Sequence, residues 1–157
     1  MDAAARKKPD LELGAVNNRI FFRLFQLGNT LQRQAVKELG ISTVQWAVLG
    51  ALSRDQAKHG TSFAELADYL VVSRQNLDGV LKRLERDRHV LRVTDMTDKR
   101  ARLVQLTPEG REFWKALQPK IYRFYREAMS QFSFDDSVAF AHYLNRVQAE
   151  LVKVKLP

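Results

Sequence analysis

The sequence predicts a mainly α-helical chain of 157 residues that carries one small β-hairpin. Three observations predict this. Two short helix-period segments, each opened by a serine, lie a few residues apart within residues 62–88, and the second has a polar outer face. Two β-prone runs, at residues 90–94 and 102–106, bracket a charged turn. Long helical stripes flank this region on both sides.

The first ten residues read as a short mobile tail, with no apolar core of a secretory signal. A long helix is expected over residues 13–39, where Ile20, Leu24, Leu27 and Leu31 recur on one face and Phe21 and Phe25 widen it. Gly40 stands where a helix end takes a left-handed cap. Ser42 caps a second helix running to about Arg54, apolar nearly all round and therefore central and buried. After a loop at 55–60, Thr61 or Ser62 opens a third helix, with Glu65 completing a capping box.

Ser73 caps a fourth helix. Its Leu77, Val80, Leu81 and Leu84 face a core, leaving Arg74, Gln75, Asp78, Lys82 and Arg86 outward. The two β-prone runs follow as a two-stranded hairpin, with Leu103 and Gln105 expected on opposite faces. Thr107 caps a fifth helix with Pro108 in its first position and Glu109 in its first turn. This helix runs to about Gln131, and Pro119 is expected to kink or interrupt it. Ser133, with Asp136 three residues on, opens a sixth helix whose apolar positions persist to the C-terminus.

A short helix, a tight turn, a second helix with a polar outer face and then a hairpin is the winged helix-turn-helix layout. The expected order is four helices, strand, wing, strand and two helices, in one domain spanning 1–157. About 42–107 form a DNA-binding lobe, and about 11–40 and 108–157 form dimerisation helices.

Composition narrows the partners. A formal charge of +8 favours an anionic one, but every third of the chain carries a basic excess, so charge alone does not locate the site. The chain has no cysteine, which excludes disulfides and thiolate metal sites and fits a cytoplasmic protein. No apolar run is long enough for a membrane span. His59, His89 and His142 are too scattered for a metal site, and no catalytic motif is present, so neither an enzyme nor a cofactor is expected.

The ordered set Ser73-Arg74-Gln75-Asn76-Leu77, Leu84-Glu85, Arg92, Asp98-Lys99-Arg100 and Leu106-Thr107-Pro108-Glu109-Gly110 resembles the MarR family of bacterial transcription regulators. The stretch QWAVLGALSR together with SRQNL resembles the branch that responds to hydroxycinnamoyl-CoA thioesters. The resemblance implies a homodimer on a pseudo-palindromic operator, with the fourth helix in the major groove and the wing in the adjacent minor groove. It also implies a repressor released by a small aromatic ligand. One departure is that Arg88 and His89 stand where the family has Gly and an apolar residue.

Within this frame each candidate has a chemical role. Ser73, Arg74, Gln75 and Asn76 offer the long polar groups that read base edges. Lys82 and Arg86 lie further along the outer face and suit phosphates. Arg100 at the wing tip suits a narrow minor groove, with Asp98 to orient it and Lys99 and Arg102 on phosphates. Ser62, at a helix N-terminus, suits a phosphate.

On the first helix Arg19, Arg23, Gln26 and Arg33 share a stripe beside Phe22 and Trp46. The family's ligand pocket between the first helices and the reading lobe makes Arg19, Phe22, Arg23, Gln26 and Trp46 candidates for an aromatic acid or acyl-CoA effector. The other reading of these residues is a solvated face over ordinary core aromatics. Leu11, Leu13, Val16, Phe132, Phe134, Phe140, Tyr143 and Leu151 are candidates for a dimer interface. Two further functions remain beside the ligand-responsive regulator: a sequence-tolerant architectural DNA binder without a ligand, and a winged-helix module that binds protein.

Overall fold

A computed structural model describes the backbone of residues 3–94, 96–97 and 102–157, with side chains from residue 11 onward in those stretches. The elements are α1 (Ala3–Gln34), a π turn (Ala35–Leu39), α2 (Thr43–Leu52), a 3-10 turn (Asp55–Ala57), β1 (Thr61–Ser62), α3 (Phe63–Leu70), α4 (Arg74–Arg86), β2 (Val90–Thr94), β3 (Arg102–Leu106), α5 (Pro108–Ala128) and α6 (Phe134–Leu151). They fall into two compact units, Met1–Leu117 and Gln118–Pro157, with the boundary inside α5. The helix-turn-helix and the two strands of the wing lie in the first unit.

The serines expected as caps act as caps. Ser42, Ser62 and Ser133 each accept the N–H three residues on, and Gln45, Glu65 and Asp136 return a bond to the serine N–H. Ser73 Oγ accepts from the Asn76 N–H at 3.1 Å and fixes the start of α4. Gly40 ends the first helical run at φ 73° with its N–H on Val36 O.

The core of this unit joins Val48, Leu49 and Leu52 of α2, Leu66 of α3 and Leu77, Leu81 and Leu84 of α4, all fully buried. α2 packs on α3, α4 and β3, which makes it the central helix. Val90, Val104 and Leu106 close the core from the sheet.

Several expectations need correction. Helix α1 begins at Ala3, not near Leu13, because the Ala, Arg and Lys residues read as a tail are strong helix formers. The apolar stripe Ile20, Leu27 and Leu31 on α1 lies on one helix as the spacing predicts and is 40–52% exposed, more apolar surface than one winged core covers. Helix α5 continues through Pro119 without interruption but ends at Ala128. Helix α6 ends at Leu151 and buries no residue.

The sheet has three antiparallel strands, ordered β1-β3-β2, not two. Thr61 pairs with Val104 and Ser62 with Leu103, so Ser62 serves both as strand and as helix cap. Val104 and Leu106 point into the core, whereas Leu103 and Gln105 share the other, half-buried face. Residues two apart on a strand face the same way, so Leu103 and Gln105 cannot be split between faces.

Among the described residues, two non-glycine residues adopt left-handed backbone. Val71, in the turn between α3 and α4, has φ 55°. A β-branched residue is rare in that region. Its N–H bonds Asp68 O and the Val72 N–H bonds Ala67 O, which completes a Schellman motif. Arg88 repeats the device after α4. At φ 63° its N–H donates to Glu85 O (2.9 Å) and the His89 N–H to Leu84 O (2.9 Å). The helix end thus keeps glycine's geometry without glycine. Arg88→Gly is expected to leave folding stability unchanged or raise it by up to about 1 kcal/mol. Thermal melts check this, and a clear drop in Tm refutes it.

Candidate nucleic-acid interface

Helix α4 is buried along one face through Leu77, Val80, Leu81 and Leu84, which are at most 6% exposed. Its opposite face is therefore held outward by the packing of the first. Arg74, Gln75 and Asn76 are exposed in its first turn, directly after the Ser73 cap. A tightly capped, well-seated helix presenting Arg, Gln and Asn at its N-terminal end can place donors and acceptors against base edges.

The remaining outer face is less simple. Lys82 Nζ lies 2.9 Å from Asp78 Oδ2, so its ammonium already has an anionic partner. Arg86 is 75% exposed and only loosely paired, its Nε being 3.8 Å from Asp87 Oδ1. Asp78, read from sequence as simply outward, is half-buried and shared. Its Oδ1 accepts from Arg92 Nη2 of β2 at 3.0 Å. Hydrogen bonds from Lys82 and then Arg92 hold the Asp78 carboxyl below the usual carboxylate range.

Arg92 also reaches Glu85, Nε lying 2.7 Å from Oε1. The Nε–H is not aimed at that oxygen, so this contact is ionic rather than a directed hydrogen bond. Its guanidinium sits 5.9 Å from the Phe63 ring of α3. No role for Arg92 was evident from sequence. The available signal was the spacing of Asp78 and Glu85, seven residues apart and so on one side of α4.

Ser62 is occupied locally. Its N–H donates to Glu65 Oε2 (3.2 Å) and its Oγ accepts from the Glu65 N–H (3.1 Å). These bonds keep Glu65 below its ordinary pKa, the Ser62 backbone bond first. An ionised carboxylate thus already sits at the α3 N-terminus, where it competes with a phosphate. On the wing, Arg102 opens β3, exposed and opposite Thr94. Asp98, Lys99 and Arg100 lie outside the described residues.

The other end of α4 is tied to α5. Thr107 Oγ1 donates to Arg88 O (2.6 Å) and accepts from the Gly110 N–H (2.8 Å), while the Thr107 N–H donates to His89 O. His89 stacks on Phe113 of α5 with ring centroids 4.1 Å apart. Thr107 therefore both caps α5 and fastens its start to the end of α4.

Of the effector candidates, Arg19, Phe22, Arg23 and Gln26 are exposed on α1, where Arg23 Nη1 donates to Gln26 Oε1 at 3.0 Å. Trp46 is half-buried on α2. An open cleft of about 370 Å³ lies in the second unit, lined by Gln131, Phe132, Asp136, Ala139, Phe140 and Tyr143. Phe132, Phe140 and Tyr143 were expected at an interface, and all three are exposed here. Among the described residues no group of three or more acidic or histidine side chains is placed to hold a metal, and no helix is long and apolar enough to cross a membrane.

A model of the MarR family matches residues 39–101, which include the third and fourth helices and β2. The transcriptional activatory protein BadR of Rhodopseudomonas palustris is 47% identical over 150 residues, 93% of this chain and 83% of that protein. The homoprotocatechuate degradative operon repressor of Escherichia coli is 30% identical over 112 residues, 71% of this chain and 74% of that protein. Among solved structures, a mutant of Escherichia coli MarR complexed with operator DNA superposes with a TM-score of 0.70 at 25% identity, covering 80% of this chain and 91% of that one.

Proposed function

The chain belongs to the MarR family of winged-helix, DNA-binding transcription regulators, and on that premise we propose that it acts as a homodimeric, effector-responsive regulator of aromatic-compound catabolism. One observation carries the DNA-reading part: the exposed Arg74, Gln75 and Asn76 at the capped start of a helix seated on a buried core. In this reading α4 enters the major groove of a pseudo-palindromic operator. Arg86 and, once released from Asp78, Lys82 meet phosphates, while Asp98, Lys99, Arg100 and Arg102 serve the minor groove and its edges.

The dimer reading rests on uncovered apolar surface. Leu13 and Val16 of α1 are 60% and 47% exposed, and in the second unit Phe134 is 81% and Tyr143 57% exposed. Surface of this kind is covered in a stable assembly. A two-fold dimer then matches two half-sites one helical turn apart. The regulator acts in the cytoplasm, where its operator lies.

The effector reading rests on Arg19, Phe22, Arg23, Gln26 and Trp46, whose cations and rings suit an aromatic acid or its CoA thioester, the hydroxycinnamoyl type included. Support comes from the names of relatives: the E. coli protein is a repressor of a homoprotocatechuate operon. We read the action as repression relieved by the effector, through a change in the spacing of the two reading helices. A second reading, activation, is favoured by the 47% identical relative, which is named an activatory protein.

Footprinting tests the core of this proposal. A protected palindrome of about 20 base pairs, persisting against competitor DNA, is expected. Uniform protection supports an architectural binder instead, and no protection supports a protein-binding module. On the protected site Arg100→Ala should weaken binding by at least about 1 kcal/mol; equal affinity removes its assigned role. Calorimetry with aromatic acids and their CoA thioesters tests the effector, and absence of binding by all of them overturns it. Transcription in vitro with and without effector decides the sign.

A further inference from the structure

We propose that Arg92 is a positioning residue that holds the wing against the reading helix, and so sets where the wing meets DNA. The proposal rests on the DNA-binding reading above.

The geometry is that of a two-point clamp. Arg92 sits mid-strand in β2, opposite Val104 of β3. Its guanidinium meets Asp78 at 3.0 Å and Glu85 at 2.7 Å. The residues that carry them are seven apart on α4, about two helical turns, and their side chains converge from those two turns on the one guanidinium. A single contact would leave the strand free to pivot about it. Two carboxylates on one planar guanidinium fix its orientation as well as its distance from α4, and the strand that carries it is held accordingly. Phe63 of α3, 5.9 Å from the guanidinium, closes the third side. The wing turn follows β2 directly in the chain, so an error in the angle of β2 is carried to residues 98–102.

Arg92 is poorly placed to act as a phosphate ligand itself. Its side chain is only 18% exposed. Its charge is also spent locally: Arg92 and Lys82 together balance Asp78 and Glu85. The same arithmetic separates Arg92 from Arg86, which is 75% exposed and loosely paired. A positioning arginine and a contacting arginine thus predict different salt dependence. Loss of a phosphate contact lowers the slope of log affinity against log salt by about one, and loss of a brace does not.

The chain has no cysteine, so two introduced cysteines can be spin-labelled uniquely. Thr94→Cys at the exposed end of β2 and Arg83→Cys on the exposed face of α4 report the strand-to-helix distance. In that background, and in the unlabelled chain for binding, Arg92→Met keeps side-chain length and removes the charge. The expected result is a broadened distance distribution and operator binding weakened at least tenfold, with an unchanged salt slope.

An unchanged distance distribution, or affinity within twofold of wild type, overturns the proposal. A slope reduced by about one overturns it in favour of direct phosphate contact. Should Arg92→Met fail to fold, Glu85→Gln removes one point of the clamp and leaves Asp78. It is expected to broaden the distances and weaken binding at least threefold, and wild-type behaviour in both overturns the clamp. If the wild-type chain binds no operator at all, the regulatory reading fails, while the distance measurement still decides whether Arg92 fixes the hairpin.

Discussion

Replacing Gly110 with alanine is expected to cost about 3 kcal/mol of folding stability, the upper end for overpacking against atoms that cannot move aside. A Cβ at this position would lie 2.0 Å from His89 O, 2.8 Å from His89 C and 3.0 Å from His89 Cα. All three are backbone atoms, so no side-chain rotation relieves the clash. Nor can the His89 peptide retreat freely. Its oxygen accepts from the Thr107 N–H, and the preceding carbonyl, of Arg88, accepts from Thr107 Oγ1. Thr107 Oγ1 in turn accepts from the N–H of Gly110 itself.

Making room for one methyl group therefore means loosening bonds worth about 1 kcal/mol each or distorting the Schellman end of α4. For a chain of this size the loss corresponds to a Tm lower by roughly 6–12 °C. Gly79→Ala is the control. Nothing lies within 4 Å of its would-be Cβ, and alanine in a helix interior is stabilising by up to about 1 kcal/mol. A loss below about 1 kcal/mol for Gly110→Ala in urea melts would show that the α4–α5 junction yields more easily than its bonding implies.

That junction also shows what a sequence makes legible. The caps were readable because a serine with Glu, Gln or Asp three residues later is a local signal, satisfied within one turn of helix. The inward face of α4 and the bounds of β2 and β3 were readable because periodicity is local as well. What escaped is long-range or depends on close approach. The run from Thr107 to Gly110 reads as an ordinary helix start; only the fold brings its backbone onto His89, 21 residues earlier.

Arg92 reads as part of the family's ordered set but has no role until α4 supplies Asp78 and Glu85. Strand β1 escaped because its two residues carry a stronger local signal as a helix cap. The α1 stripe was readable as apolar, but periodicity does not say what covers it, and within one chain it remains exposed. For the site, the first turn of α4 was legible as a capped polar start, whereas the pairing that occupies Lys82 was not.

Substituting both Arg74 and Gln75 with alanine should abolish most discrimination between operator and random DNA while leaving the fold intact. Both side chains are exposed, and the Ser73 cap and the buried leucines of α4 are untouched, so stability should change by less than about 0.5 kcal/mol. Each bidentate base contact contributes about 1–3 kcal/mol of discrimination, so the double variant should lose on the order of 2–6 kcal/mol on the operator. Binding to random duplex should be nearly unchanged, because that term comes from phosphate contacts made elsewhere.

The contrast with Arg86→Ala makes the assignment sharp. Arg86, exposed and loosely paired, is proposed to meet phosphate, so its loss should weaken operator and random DNA alike and lower the salt slope by about one. Competition binding at several salt concentrations measures all of these quantities. If the Arg74 and Gln75 substitutions weaken both kinds of DNA equally, the start of α4 is an electrostatic platform. Sequence reading would then have to come from the wing or from DNA shape, and the role assigned to the capped turn would pass to the hairpin that Arg92 braces.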